Sequence, residues 1–173
     1  MTAANTSDSD APSGRPRSRQ RWQFRILRGI PRVRIPYTEL EKALRQVVRG
    51  ERRTGDVSVI VADDRTMRRL NRRFRGKDRP TDVLAFPLTT DRERARMEGE
   101  IYINHDHARR WRQANGGTIA AELGRLAVHG CLHLLGHRHL TATARRRMAA
   151  IEDRCLTSAG LISTRTEGGG RRA

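Results

Sequence analysis

The chain has 173 residues, the length of one ordinary domain with short tails. Lys and Arg total 36 against 19 Asp and Glu, a formal net charge of +17, and only 36% of the residues are hydrophobic, so the apolar core must be concentrated in a few segments. No apolar run approaches the roughly 18–20 residues of a membrane-spanning helix, and two cysteines, Cys131 and Cys155, cannot form the disulfide framework of a small secreted scaffold.

Residues 1–21 are polar and rich in Ser, Pro and Arg, without periodicity, and read as a disordered basic tail; residues 163–173 read as a second one. A single folded domain is expected over 22–162. Trp22 to Ile26 alternates apolar and polar residues, as a half-buried strand does. After Pro36, the positions Leu40, Ala43, Leu44, Val47 and Val48 share one helical face, with Thr38 as the expected N-cap and Gly50 near the end. Val57 to Val61 is a β-branched run suited to a buried strand. Asp63 or Asp64 should cap a second helix that turns Met67, Leu70 and Phe74 inward, and Gly76 to Pro80 reads as a loop. Val83 to Phe86 is a third strand stopped by Pro87, a charged loop follows over 91–98, and Glu100 to Ile103 is a fourth strand. Three helices complete the chain: His105 to Gln113, a long one capped by Thr118 and running to about Leu135, and Thr141 to Ala159 before Gly160. The order predicts an α+β fold, a small mixed four-stranded sheet packed with about five helices.

The positive charge points to a polyanionic partner, nucleic acid first and an anionic membrane surface second. Only Lys42 and Lys77 are lysines; the other cations are arginines, whose planar fork pairs with phosphate and stacks on bases. A GC-rich genome would also favour Arg over Lys, but it does not account for the excess of positive over negative charge. The N-terminal residues hold no apolar signal-peptide core, so a reduced, cytoplasmic location is the expectation.

The chemistry is concentrated in His129-Gly130-Cys131-Leu132-His133-Leu134-Leu135-Gly136-His137-Arg138-His139. His129 and His133, four apart on a helix, stack on one face one turn apart. Gly136 can end the helix in the left-handed conformation and turn the chain back, so that a third imidazole meets the first two. Three histidines with one open position describe a catalytic zinc site. His139 is the preferred third ligand; His137 is the alternative if the helix runs on through Gly136. Cys131 lies about 200° around the helix from His129 and should miss the ion. In HExxH metalloproteases the residue after the first histidine is the general-base Glu. Here it is Gly130, so a zinc peptidase lacks its base. Glu122 lies about 10 Å back along the same helix, too far to replace it.

His129 to His139, HGCLHLLGHRH, resembles the signature HGxLHLxGYDH of the YbeY family of bacterial endoribonucleases and rRNA maturation factors. His137 and Arg138 replace that signature's Tyr and Asp. Leu70 to Pro87, LNRRFRGKDRPTDVLAFP, is similar to the family's LNxxYRxxDxPTDVLSFP, and Gly99-Glu100-Ile101 to its GDI. The resemblance implies a single-domain α+β fold with one zinc per chain on His129, His133 and His139. It implies single-strand-specific cleavage of RNA in the maturation of the 3′ end of small-subunit rRNA and in ribosome quality control, with the small ribosomal subunit and its proteins as partners. Arg75 falls on the family's functional arginine; with His129 it is assigned the catalytic role, clamping the scissile phosphate. Asp82 could cap, pair with Arg75 or act as a base, and with Asn71 is read as structural. A zinc-stabilised RNA-binding assembly factor with little catalysis is the main alternative, and a zinc peptidase a weaker one.

Overall fold

The structure, a computed structural model, describes residues 22–89 and 96–161. The two expected tails, Ile162 and most of the charged loop lie outside the described residues.

Nine elements follow one another as β1 (Gln23–Arg28), α1 (Tyr37–Val47), β2 (Thr54–Ala62), α2 (Asp64–Arg75), β3 (Val83–Pro87), β4 (Arg96–Asn104), α3 (His105–Asn115), α4 (Ile119–Leu134) and α5 (Ala142–Ser158). The sheet order is β1-β2-β4-β3, parallel across the first three strands and antiparallel between β4 and β3. The sheet is therefore mixed, and β3 is an edge strand.

Local chemistry explains most of the element ends. The Asp63 carboxylate accepts from Thr66 N–H at the start of α2, and the Thr118 and Thr141 hydroxyls cap α4 and α5 in the same way. At α1 the expected Thr38 cap is not used. Pro36 takes the N-cap position without a side-chain cap, and its carbonyl accepts the first helical bond from Leu40 N–H. Proline's fixed φ and missing N–H suit a helix start, and Thr38 is drawn into the first turn.

The β-branched run in β2 is one-sided rather than buried throughout. Val57, Val59 and Val61 are buried while Ser58 and Ile60 between them are only half-buried. The buried set packs with Ile101 and Ile103 of β4, Leu40 and Leu44 of α1, and Leu123, Leu126 and Cys131 of α4. α5 closes a second cluster against α4 through Met148, Cys155 and Leu156. On the other sheet face α2 sets Met67 on Leu84, with Leu70, Phe86 and Tyr102 beside them. Phe74, expected to point inward as well, is 54% exposed. It lies beyond the end of the apolar stripe, where the sheet offers only the Phe86 ring.

Gly130 sets how closely α4 approaches the sheet. A Cβ there would sit 2.5 Å from Ile101 Cγ2, so a larger residue fits only if the Ile101 side chain or the helix shifts. This contact holds the end of α4, and therefore the histidines, against β4 and β3.

Candidate metal centre and arginine-lined cleft

His129 and His133 project from the last two turns of α4 with ring centroids 4.6 Å apart. Gly136 then adopts φ +97°, Gly136 N–H donates to His133 O at 3.0 Å, and His137 N–H donates to Leu132 O at 2.9 Å. This pair of bonds is a Schellman ending, and it reverses the chain. The reversal carries His139, not His137, to the other two rings: its centroid lies 5.4 Å from that of His129 and 5.1 Å from that of His133. One nitrogen from each of the three falls within 4.8 Å of the others, so the group could hold a metal ion. His137 is exposed and contributes its carbonyl instead.

The outer nitrogens of the two helical rings are already engaged. His133 Nδ1 lies 3.0 Å from His137 O. A carbonyl can only accept, so Nδ1 carries the proton and Nε2 a lone pair. His129 Nδ1 lies 2.8 Å from Glu152 Oε1, a carboxylate on α5 that is 3% exposed, and this gives His129 the same tautomer. The two Nε2 atoms then face each other at 3.0 Å as two lone pairs, which cannot bond to one another. A shared cation satisfies both. Nitrogens on a tetrahedral zinc lie roughly 3.3 Å apart, given bonds of about 2.0–2.1 Å. Burial, then the neighbouring His129, lowers the His133 pKa to about 4, so the ring is neutral at pH 7. The donor set fits a borderline-soft divalent ion.

Cys131 takes no part. It is fully buried in the core, and burial pushes its thiol up to about 12. Arg138, which stands where the YbeY signature has Asp, donates from Nη1 to His133 O and His137 O at 3.1 Å. It fastens the helix end, while the carboxylate beside a candidate ligand comes from Glu152.

The histidines lie in a cleft whose walls include Arg75, Asp82, Arg125, Arg138 and Arg146. Arg75 is the exposed last residue of α2, and among the described residues it makes no side-chain hydrogen bond. Asp82 accepts from Val83 N–H at 2.9 Å and from the Thr81 hydroxyl at 3.2 Å, which secures the entry to β3. Asn71, 2% exposed, donates to Arg79 O at 2.8 Å and ties α2 to the following loop.

Two residues of the cleft wall were not apparent from the sequence. Arg125 is 5% exposed in the cleft wall and is held by two bonds to Glu122, at 2.7 and 2.5 Å. Burial disfavours both charges and is the largest single influence on each, but the mutual hydrogen bonds together with the attraction of neighbouring charges outweigh it, lowering the Glu122 pKa and raising that of Arg125. Glu152 is the other. Its sequence signal was a carboxylate on the stripe of α5 that carries Met148, Cys155 and Leu156. A charged residue on an apolar helix face needs a partner, and His129 is that partner.

Among the described residues, no helix is long and apolar enough to cross a membrane. The family model described as Endoribonuclease YbeY matches residues 31–160. The chain is 40% identical over 111 residues to an endoribonuclease YbeY of Myxococcus xanthus, covering 62% of this chain and 38% of that one. It is 39% identical over 119 residues to one from an Anaeromyxobacter species, covering 69% and 62%. It is 36% identical over 122 residues to one from Carboxydothermus hydrogenoformans, covering 70% and 85%. The chain thus spans less than two thirds of the length of the first two relatives. The solution structure of TM1509 from Thermotoga maritima superposes with a TM-score of 0.55 at 26% identity, over 84% of this chain and all of that one.

Proposed function

The chain belongs to the family described as Endoribonuclease YbeY, and from that premise we propose that residues 22–162 form a zinc-dependent endoribonuclease domain acting on single-stranded RNA. The observation that carries the reading is the pair of Nε2 lone pairs held 3.0 Å apart beside His139, on the floor of an arginine-lined cleft. His129, His133 and His139 would hold one zinc per chain. When bound, zinc supplies Lewis-acid polarisation of a phosphoryl oxygen and lowers the pKa of water.

The chain's own groups supply the rest. Glu152 and the His137 carbonyl fix the two tautomers and ring orientations. Arg75 reaches the cleft from α2 with its guanidinium fork uncommitted among the described residues, so it can take a scissile phosphate at two oxygens and stabilise charge that develops there. Arg138 and Arg146 add positive potential along the path of the strand. The substrate in this reading is rRNA at the 3′ end of the small-subunit species, met in the cytoplasm on or near the small ribosomal subunit.

The second reading, an RNA-binding assembly factor with a structural metal, is favoured by Gly130, where no general base can stand. That glycine weighs still more against a peptidase, because a Glu in its place would run into Ile101. Nuclease-free protein, metal-loaded and then stripped and reloaded, separates the readings. Cutting of a single-stranded RNA that is lost on stripping and regained on reloading supports the endoribonuclease. Tight RNA binding without cutting in any metal state supports the assembly factor.

A further inference from the structure

Phe74 is a large apolar ring left 54% exposed in a chain poor in aromatics. Its inner side rests on Phe86, with centroids 4.8 Å apart and planes inclined by 53°. Phe86 in turn meets the edge of Tyr102 at 6.0 Å, and the Tyr102 hydroxyl donates to Glu100 at 3.0 Å. The outermost ring is thus supported from below and remains half exposed, within reach of one arginine. The Arg73 guanidinium lies 5.4 Å from its centroid.

We propose that Phe74, backed by Phe86 and flanked by Arg73 and Arg75, is a stacking platform for an unpaired nucleobase of the RNA strand that enters the cleft. The placement rests on the endoribonuclease reading for where the rest of the strand lies. Its first support is continuity with the cleft. Arg75, the next residue on α2, lines the cleft, and so do Ala85 and Pro87, which flank Phe86 on β3. Alternate residues of a strand face opposite ways, so cleft and aromatic stack lie back to back across an edge strand. A strand with a phosphate at Arg75 has to pass over this edge to set its next base on Phe74. The second support is charge. α2 also carries Arg65, Arg69 and Arg72 on the side of the helix opposite Phe74, which add to the positive potential that attracts a phosphate backbone. An aromatic ring set among arginines accepts any base through its π face, and such stacking requires a base that is not paired.

The test uses metal-loaded protein and a short 2′-O-methyl oligoribonucleotide that resists cleavage, presented single-stranded and as the matching duplex. Phe74→Ala is expected to lower single-strand affinity about five- to hundredfold, with duplex affinity and salt dependence unchanged. Phe74→Tyr should keep wild-type affinity. Phe74→Trp should show emission quenched by the single strand beyond the background of Trp22 and Trp111. Wild-type single-strand affinity in Phe74→Ala, or an equal loss for the duplex, overturns the proposal. If Phe74→Ala melts early, the Trp variant decides alone, and absence of added quenching overturns it. Binding of anionic vesicles that depends on Phe74, with RNA affinity unaltered, assigns the face to a membrane and also overturns it. The endoribonuclease reading fails separately, if wild-type protein leaves ordinary RNA uncut while the Phe74-dependent binding persists.

Discussion

Glu152 Oε1 lies 2.8 Å from His129 Nδ1, joining α5 to the histidine pair on α4 across 23 residues of sequence. The carboxylate is 3% exposed, so it has left water to make this contact. It fixes the ring orientation and leaves Nε2 as the free donor atom.

Glu152→Gln should therefore weaken zinc retention by about 10–100-fold, the usual effect of removing a carboxylate behind a metal-binding imidazole. Competition with a chromophoric chelator reads this without reference to activity. Unchanged retention would make the contact a packing feature only.

Gly130→Ala tests the approach of α4 to the sheet. The added methyl would lie 2.5 Å from Ile101 Cγ2 and 3.3 Å from Val83 Cγ2. Relieving that overlap should cost about 1–3 kcal/mol, measured as a lower midpoint in urea. Ile101→Ala removes that Cγ2, so the double variant should lose less stability than the sum of the two single changes.

The buried Glu122–Arg125 pair gives the fold an acid sensitivity. Burial alone would raise the Glu122 pKa, but the hydrogen bonds and charge of Arg125, with His107 Nε2 3.5 Å away, leave it below 4.5 in the folded state. Its contribution is present above the unfolded value near 4.5 and is lost as pH falls through the lower folded value. Urea midpoints followed downward from pH 7 should drop more steeply for wild type than for Glu122→Gln. At pH 7, Glu122→Gln strands a buried guanidinium and should destabilise the protein by about 3–5 kcal/mol. Parallel pH profiles for the two proteins would contradict this account.

Arg75→Ala should lower RNA cleavage by about two to three orders of magnitude, as expected when a group that stabilises developing charge is removed. Melting temperature and zinc content should stay near wild type, because Arg75 is exposed and lies on a different element from the three histidines. Arg75→Lys should restore little, since an ammonium lacks the two-pronged contact. Full single-turnover cleavage by a well-folded Arg75→Ala protein removes Arg75 from the mechanism.

Features that depend on near neighbours in the chain could be read from the sequence. The His129/His133 spacing, the left-handed Gly136 and the Asp63 and Thr118 caps each lie within one or two helical turns, and the element order followed from them. The preference for His139 over His137 as the third imidazole also came from local chemistry, because a helix ending at Gly136 cannot keep His137 on its ladder. Features set by packing between distant segments were not legible. Glu152 meets His129 only because Met148, Cys155 and Leu156 dock α5 on α4. Arg125 reads as one arginine among many until α4 buries it. Thr38 and Phe74 failed in the opposite sense, as local expectations overridden by Pro36 and by the edge of the sheet.

The central claim is that His129, His133 and His139 together hold the metal on which RNA cleavage depends. It is tested most directly by measuring zinc per chain and single-strand RNA cleavage on the same folded samples of wild type, His133→Ala, His139→Ala and His137→Ala. The account predicts about one zinc per chain and cleavage in wild type. It predicts loss of both in His133→Ala, weakened retention with matching loss of cleavage in His139→Ala, and near wild-type values in His137→Ala, whose backbone carbonyl is intact. Cleavage that survives in zinc-free His133→Ala, or zinc lost from His137→Ala but kept by His139→Ala, would contradict it.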